Sequence, residues 1–152
     1  MYTTLKTENK VISSICILGG GTSGFVTAAI LSEYFKNIKI NTVIRKGVNE
    51  KSIMGLVDYC RSEGHILRFI EYMDVGTLNS WNIKNVVNSE YILKIISNNY
   101  KLSKIEKNYP SETSNRFSFD DGKGEIGFIS SISNPFCDNC TRARITADGK
   151  LV

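Results

Sequence analysis

Residues 38–73 read IKINTVIRKGVNEKSIMGLVDYCRSEGHILRFIEYM, and the change of period along them decides the fold. Ile38 to Arg45 alternates apolar and polar residues as a strand does, and Lys46-Gly47-Val48-Asn49 turns the chain. From Glu50 to Ser62 the period lengthens: Ile53, Leu56, Val57 and Cys60 recur on one helical face, and Ser62-Glu63-Gly64 ends the run. Leu67 to Met73 returns to a short apolar strand. Two strands joined through a helix pair in parallel, with a right-handed crossover expected.

Working outward toward the N-terminus, Val11 to Leu18 is rich in β-branched residues and reads as a buried strand. Ser23 to Lys36 places Phe25, Ala28, Ala29, Leu31 and Phe35 at helical spacing. The expected fold class is therefore α/β: a βαβαβ run over 11–73, either a piece of a parallel barrel or a small Rossmann-like sheet. Toward the C-terminus, Asp74 to Asn88 reads as a long loop, and Ser89 to Tyr100 as a helix capped by Asn88 or Ser89. Phe117 to Phe119 and Glu125 to Ile132 read as a β-hairpin around a glycine-rich turn. The exposed parallel edges of such a sheet favour association, so a homo-oligomer is an expected state.

No run of eighteen apolar residues is present, and Met1 to Lys10 has no apolar signal core, so no membrane partner and a cytoplasmic location are expected. The net charge of +4 is modest and its lysines are scattered. A nucleic-acid partner is not expected, and a small anionic molecule such as a nucleotide fits this charge as well. His65 follows the helix-ending Gly64 and is expected at the surface, whereas Cys16 and Cys60 stand in apolar patterns as buried, inert thiols.

The other two cysteines form Cys137-Asp138-Asn139-Cys140, followed by Thr141-Arg142-Ala143-Arg144. Two thiolates at this spacing can share one metal centre, with the backbone N–H groups of the turn stabilising sulfur charge. Taken alone, the spacing leaves zinc, iron–sulfur, redox chemistry and no role open.

The segment F-C-x-x-C-x-R-x-R-x-T-A-D-G-K-L, from Phe136 to Leu151, resembles the auxiliary 4Fe-4S segment of the GTP 3',8-cyclase family, radical S-adenosylmethionine lyases that open molybdenum cofactor synthesis. Three upstream stretches agree with it in order and kind: Ile38 to Val43 with its following turn, Arg68 to Gly76, and Gly124 to Ile129. The resemblance covers about residues 37–152. It implies that Cys137 and Cys140 ligate the cluster, that Lys39, Arg142 and Arg144 contact GTP, and that Met73 lies against S-adenosylmethionine. Alone, Lys39 would read as a solvated lysine and Met73 as core filling; the joint pattern raises them. The family's third cluster cysteine would fall beyond Val152, and its C-x-x-x-C-x-x-C does not occur among the 152 residues. The resemblance thus implies a partial enzyme, a fragment or fusion, inactive by itself.

Gly19-Gly20-Gly21-Thr22-Ser23-Gly24 satisfies G-x-G-x-x-G between an expected strand and an expected helix. Gly19 would permit the turn, Gly21 the approach of a pyrophosphate, and Gly24 close helix packing. Residues 11–40 resemble the FAD-binding opening of flavin-dependent tryptophan halogenases, which implies an alternative: an FAD or dinucleotide-binding module without catalysis. The acid expected to hold the ribose is missing, and Arg45 stands in that neighbourhood. The expected organisation is a Rossmann-like segment, 1–36, foreign to a cyclase-like region, 37–152.

Overall fold

The computed structural model describes residues 15–18 (backbone only), 30–31, 38–74 and 80–135. Six strands form one sheet: β1 (Ile15–Leu18), β2 (Ile38–Ile44), β3 (Ile66–Glu71), β4 (Leu102–Ile105), β5 (Asn115–Phe119) and β6 (Glu125–Ile129). Their spatial order is β1-β2-β3-β6-β5-β4. The first four in that order are mutually parallel, while β6–β5 and β5–β4 are antiparallel. The mixed α/β architecture agrees with the sequence, and the hairpin completes the sheet by laying β6 against β3. β1 is an edge strand of this sheet, parallel to β2 with Ile15 opposite Ile38, as expected for the first strand of the βαβαβ run.

The two helices that lie fully within the described residues pack on one face. The first, α1 (Ile53–Ser62), buries Ile53, Leu56, Val57 and Cys60, the stripe its sequence predicts, and is preceded by a 3-10 turn at Glu50–Ser52. It ends in a Schellman motif: Gly64, at φ +71°, lets the His65 N–H reach the Cys60 carbonyl at 2.8 Å. This closure tucks His65 inward. Expected at the surface, His65 is only 3% exposed, with its ring edge-on to Tyr59 at 6.0 Å. The second helix, α2 (Ser89–Ser97), is capped by the Asn88 side chain, which accepts from the Tyr91 N–H at 2.8 Å.

Under the helices, Ile38, Ile40 and Ile44 of β2 join Leu67 and Phe69 of β3 and Ile126 and Phe128 of β6 in one core. Phe128 stacks on Phe69 at 6.0 Å and takes Phe117 edge-on at 5.7 Å. Each such side chain, fully buried, contributes about 1.5–3 kcal/mol, so this face holds the molecule together. Strand alternation sends Lys39, Asn41 and Val43, then Arg68 and Ile70, to the opposite face. No described helix covers that face, and Val43 is 42% exposed there.

Candidate functional site

The helix-free face carries a row of polar side chains set by strand register. Asn41 lies opposite Arg68, Arg68 opposite Gly127, and Gly127 opposite Arg116. Lys39 shares the face two residues before Asn41 and is half-buried. Behind the row sits Glu112, 5% exposed, with Arg68 and Arg116 each at 3.9 Å and the Asn108 N–H at 2.8 Å. Arg116 also grips Glu125 through two bonds of 2.7 and 2.6 Å. Three cations face two carboxylates here, and the buried Arg68 Nε and Ser114 Oγ have no hydrogen-bond partner among the described residues. A face of this kind suits an anionic ligand. Gly127 is required by packing: a Cβ there would strike Ser114 Oγ and sit 3.2 Å from Arg68 Cγ.

A second polar cluster closes the C-terminal edge of the sheet. Glu71 ends β3, is 1% exposed, and has no cation in hydrogen-bond contact among the described residues. Its Oε1 accepts from the Ser89 N–H, the Ser89 hydroxyl and the Ser133 hydroxyl at 2.8, 3.0 and 2.6 Å. Its Oε2 accepts from the Ile132 and Ser133 N–H groups at 2.9 and 2.7 Å. Burial pushes this carboxyl's pKa up, but the bonds from Ser133, Ser89 and Ile132 outweigh it and leave the group below its ordinary value. Two more bonds tie the same three segments: the Ser130 hydroxyl donates to Ser89 Oγ at 2.9 Å, and the Ser131 hydroxyl to the Glu71 carbonyl at 3.2 Å.

Met73 follows two residues after Glu71, partly buried; the neighbouring Tyr72 carbonyl accepts from Trp81 Nε1 at 3.0 Å, and Arg45 lies over the Tyr72 ring at 5.2 Å. Lys39 is not beside it. Lys39 pairs with Ile66, at the start of β3, whereas Met73 follows the end of that strand. The two expected contact residues are therefore placed toward opposite ends of β3. Cys137, Cys140, Arg142, Arg144, Gly19, Gly21 and Gly24 lie outside the described residues.

Among the described residues no group of three or more His, Cys, Asp or Glu is arranged to hold a metal. Cys60 is buried as expected, and burial raises its thiol pKa to about 12, which keeps it protonated at neutral pH. His65 has no partner for either ring nitrogen among the described residues, and burial lowers its pKa against the pull of Glu63. An open cleft of about 340 Å³ lies elsewhere, beside Arg61, Asn99, Tyr100 and Lys101. Arg61 is committed there: it stacks over Tyr100 at 4.1 Å and Phe119 at 4.4 Å and binds Asp121 through two bonds. Sequence reasoning missed Glu71, Arg68, Glu112 and Arg116. Only one signal was available for Glu71, an acid inside the apolar run 67–73.

Residues 65–152 match a family model described as Molybdenum Cofactor Synthesis C. A protein named GTP 3',8-cyclase from Xanthomonas axonopodis pv. citri is 47% identical over 117 residues, 77% of this chain and 35% of its own length. Its namesake from Acidothermus cellulolyticus is 46% identical over 123 residues, 81% of the chain and 34% of the relative. That from Staphylococcus epidermidis is 41% identical over 114 residues, 75% and 34%. The chain thus spans about a third of the length of these curated relatives. The comparisons do not support the likeness of residues 11–40 to tryptophan halogenases. No helix of the described residues is long and apolar enough to cross a membrane.

Proposed function

Because the chain belongs to the Molybdenum Cofactor Synthesis C family, we propose that it supplies the GTP-binding and auxiliary 4Fe-4S portion of a GTP 3',8-cyclase-like lyase of molybdenum cofactor biosynthesis. The observation that supports this reading is the bonding of residues 132–133 to Glu71 at the end of β3, because it joins the chain four to five residues before Cys137 in sequence to the strand end two residues before Met73. Two soft thiolates three positions apart are a donor set that fits iron–sulfur ligation. Cys137 and Cys140 would hold the cluster. When bound, the cluster supplies an iron able to accept a ring atom of the purine.

The remaining roles fall to side chains. Arg142 and Arg144 present planar donors to the nucleotide, a geometry that lysine lacks. Lys39 contributes positive charge to the helix-free face, which suits a polyphosphate, and Met73 offers an apolar contact to S-adenosylmethionine. The two-region organisation, 1–36 and 37–152, belongs to the same proposal.

Anaerobic reconstitution with iron and sulfide, followed by iron analysis and GTP titration, tests the reading. Iron uptake with broad visible absorbance, lost in Cys137→Ser and Cys140→Ser, and GTP affinity at least tenfold weaker in Arg142→Ala are expected. Zinc held in preference to iron, or GTP affinity indifferent to Arg142 and Arg144, would defeat it.

A further inference from the structure

We propose that His65 is an acid-sensitive latch: its neutral ring closes the corner where α1, β3 and the β5–β6 turn meet, and its protonation opens that corner. The backbone places it there. Gly64 turns the chain at φ +71°, and the His65 N–H bonds to the Cys60 carbonyl at 2.8 Å, which holds the residue against the last turn of the helix. Two residues before Leu67, its side chain shares the helix-covered face by strand alternation, and it is 3% exposed with the Tyr59 ring edge-on at 6.0 Å. On the other side, a Cβ on Gly124 would stand 4.0 Å from the His65 carbonyl oxygen, so the β5–β6 turn packs against the same residue. Farther out, the two Arg61–Asp121 bonds tie the helix to that turn.

The corner responds to acid because the ring has nothing to bond. Both ring nitrogens are buried, and neither has a partner among the described residues. A neutral imidazole leaves one donor and one acceptor unmet there. An imidazolium would leave two donors and a charge, which an apolar site tolerates far less. The neighbouring elements offer little relief. α1 brings the neutral Tyr59 and Cys60, Arg61 committed to Asp121, and, just past its end, the exposed Glu63. β2 turns Ile38 to this face and Lys39 to the other, and the hairpin flanks Gly124 with an exposed Lys123 and with Glu125, which is bonded to Arg116. Of these groups Glu63 alone pulls toward protonation, and burial outweighs it. The folded chain thus takes the proton at lower pH than the unfolded chain, so the latch is fully closed above the ordinary 6.5 and weakens as pH falls below it. Ile66, the next residue, stands opposite Lys39, so release of His65 also loosens the strand end that backs the first cation of the helix-free face.

His65 is the only histidine of the 152 residues, so its ring can be titrated unambiguously in the full chain. Proton resonances of the ring give its midpoint, and hydrogen exchange, corrected for the intrinsic effect of pH, gives the opening of the corner. The midpoint should lie below 6.5. Exchange over 60–66 and 121–125 should be about fivefold faster at about pH 5.5 than at about pH 7.5, with α2 unchanged. His65→Leu removes the titrating group together with both unmet polar atoms, so it should be at least as stable as the wild type at neutral pH and show no acid acceleration. Glu63→Gln should lower the ring midpoint further and enlarge the acceleration. A midpoint at or above 6.5, acceleration of equal size in α2, or acceleration that persists in His65→Leu overturns the proposal. Should His65→Leu fail to fold, the wild-type titration and the Glu63→Gln contrast decide it.

Discussion

Two buried carboxylates in this molecule are held by opposite means. Glu71, at the sheet's C-terminal edge, is surrounded by neutral dipoles at 2.6–3.0 Å. Glu112, on the helix-free face, lies between two arginines at 3.9 Å and takes one close bond, from the Asn108 N–H. Short bonds to backbone amides fix the chain in one place, whereas ion pairs at nearly 4 Å supply charge balance and tolerate movement. The first arrangement suits a structural joint. The second suits a surface that must receive a charged ligand.

The largest expected effect follows from emptying the first site. Glu71→Ala leaves three backbone amides without acceptors, at about 1–3 kcal/mol each, so a loss of roughly 3 kcal/mol or more is expected in urea unfolding. A loss below about 1 kcal/mol would mean that water replaces the carboxylate, and the contrast with Glu112 would disappear.

Acid should separate the two sites as well. Because hydrogen bonds hold the Glu71 pKa below its ordinary 4.5 in the folded chain, its contribution is fully present above the unfolded value and is lost as pH falls through the folded one. Stability should therefore decline below about pH 4.5, and in Glu71→Gln that part of the acid decline should be missing. Thermal midpoints of both proteins between pH 3 and pH 7 provide the measurement; parallel curves would remove Glu71 as the acid-sensitive group.

On the helix-free face the tight fit is steric. Gly127→Ala drives a methyl into Ser114 Oγ and should cost about 1–3 kcal/mol. Ser114→Ala alone should be nearly neutral, since its hydroxyl has no partner among the described residues and its Cβ would lie 3.7 Å from the new methyl. The double variant should recover most of the loss, a non-additivity readable in a double-mutant cycle. Simple additivity would show that the clash is relieved elsewhere.

Sequence legibility divides along the same line. The α1 stripe of Ile53, Leu56, Val57 and Cys60, the stop at Gly64 and the strand at 66–71 could all be read because each follows a local period or a local backbone need. β4, Leu102–Ile105, was missed because LSKI places its apolar residues only at its two ends, with exposed polar ones between, and matches no alternation. The pairing of β6 with β3 was missed too, since register between Leu67 and Ile126 is a long-range fact. His65 was misjudged because the glycine that ends the helix also folds the next residue inward. Of the site, the cysteines and arginines stand in a recognisable linear motif. Glu71 and Glu112 do not, because the partners of the first are 18 to 62 residues away and the second, besides its local neighbours Asn108 and Arg116, meets Arg68 only through register across three strands.

The smallest expected change in stability is at Glu112, and its sign differs from one measurement to the next. Glu112→Gln keeps an acceptor for the Asn108 N–H and loses only two contacts at 3.9 Å, while Arg116 retains Glu125 through its two short bonds. A stability loss of about 1 kcal/mol or less should follow. Binding should move the other way. The row of Lys39, Arg68 and Arg116 then faces one carboxylate instead of two, so an anionic nucleotide should bind several-fold more tightly at low salt, and the gain should shrink as salt screens it. GTP titrations of both proteins at two ionic strengths test this. A stability loss as large as that at Glu71 would show that Glu112 is a joint of the same kind, and unchanged GTP affinity would show that the nucleotide does not meet this face.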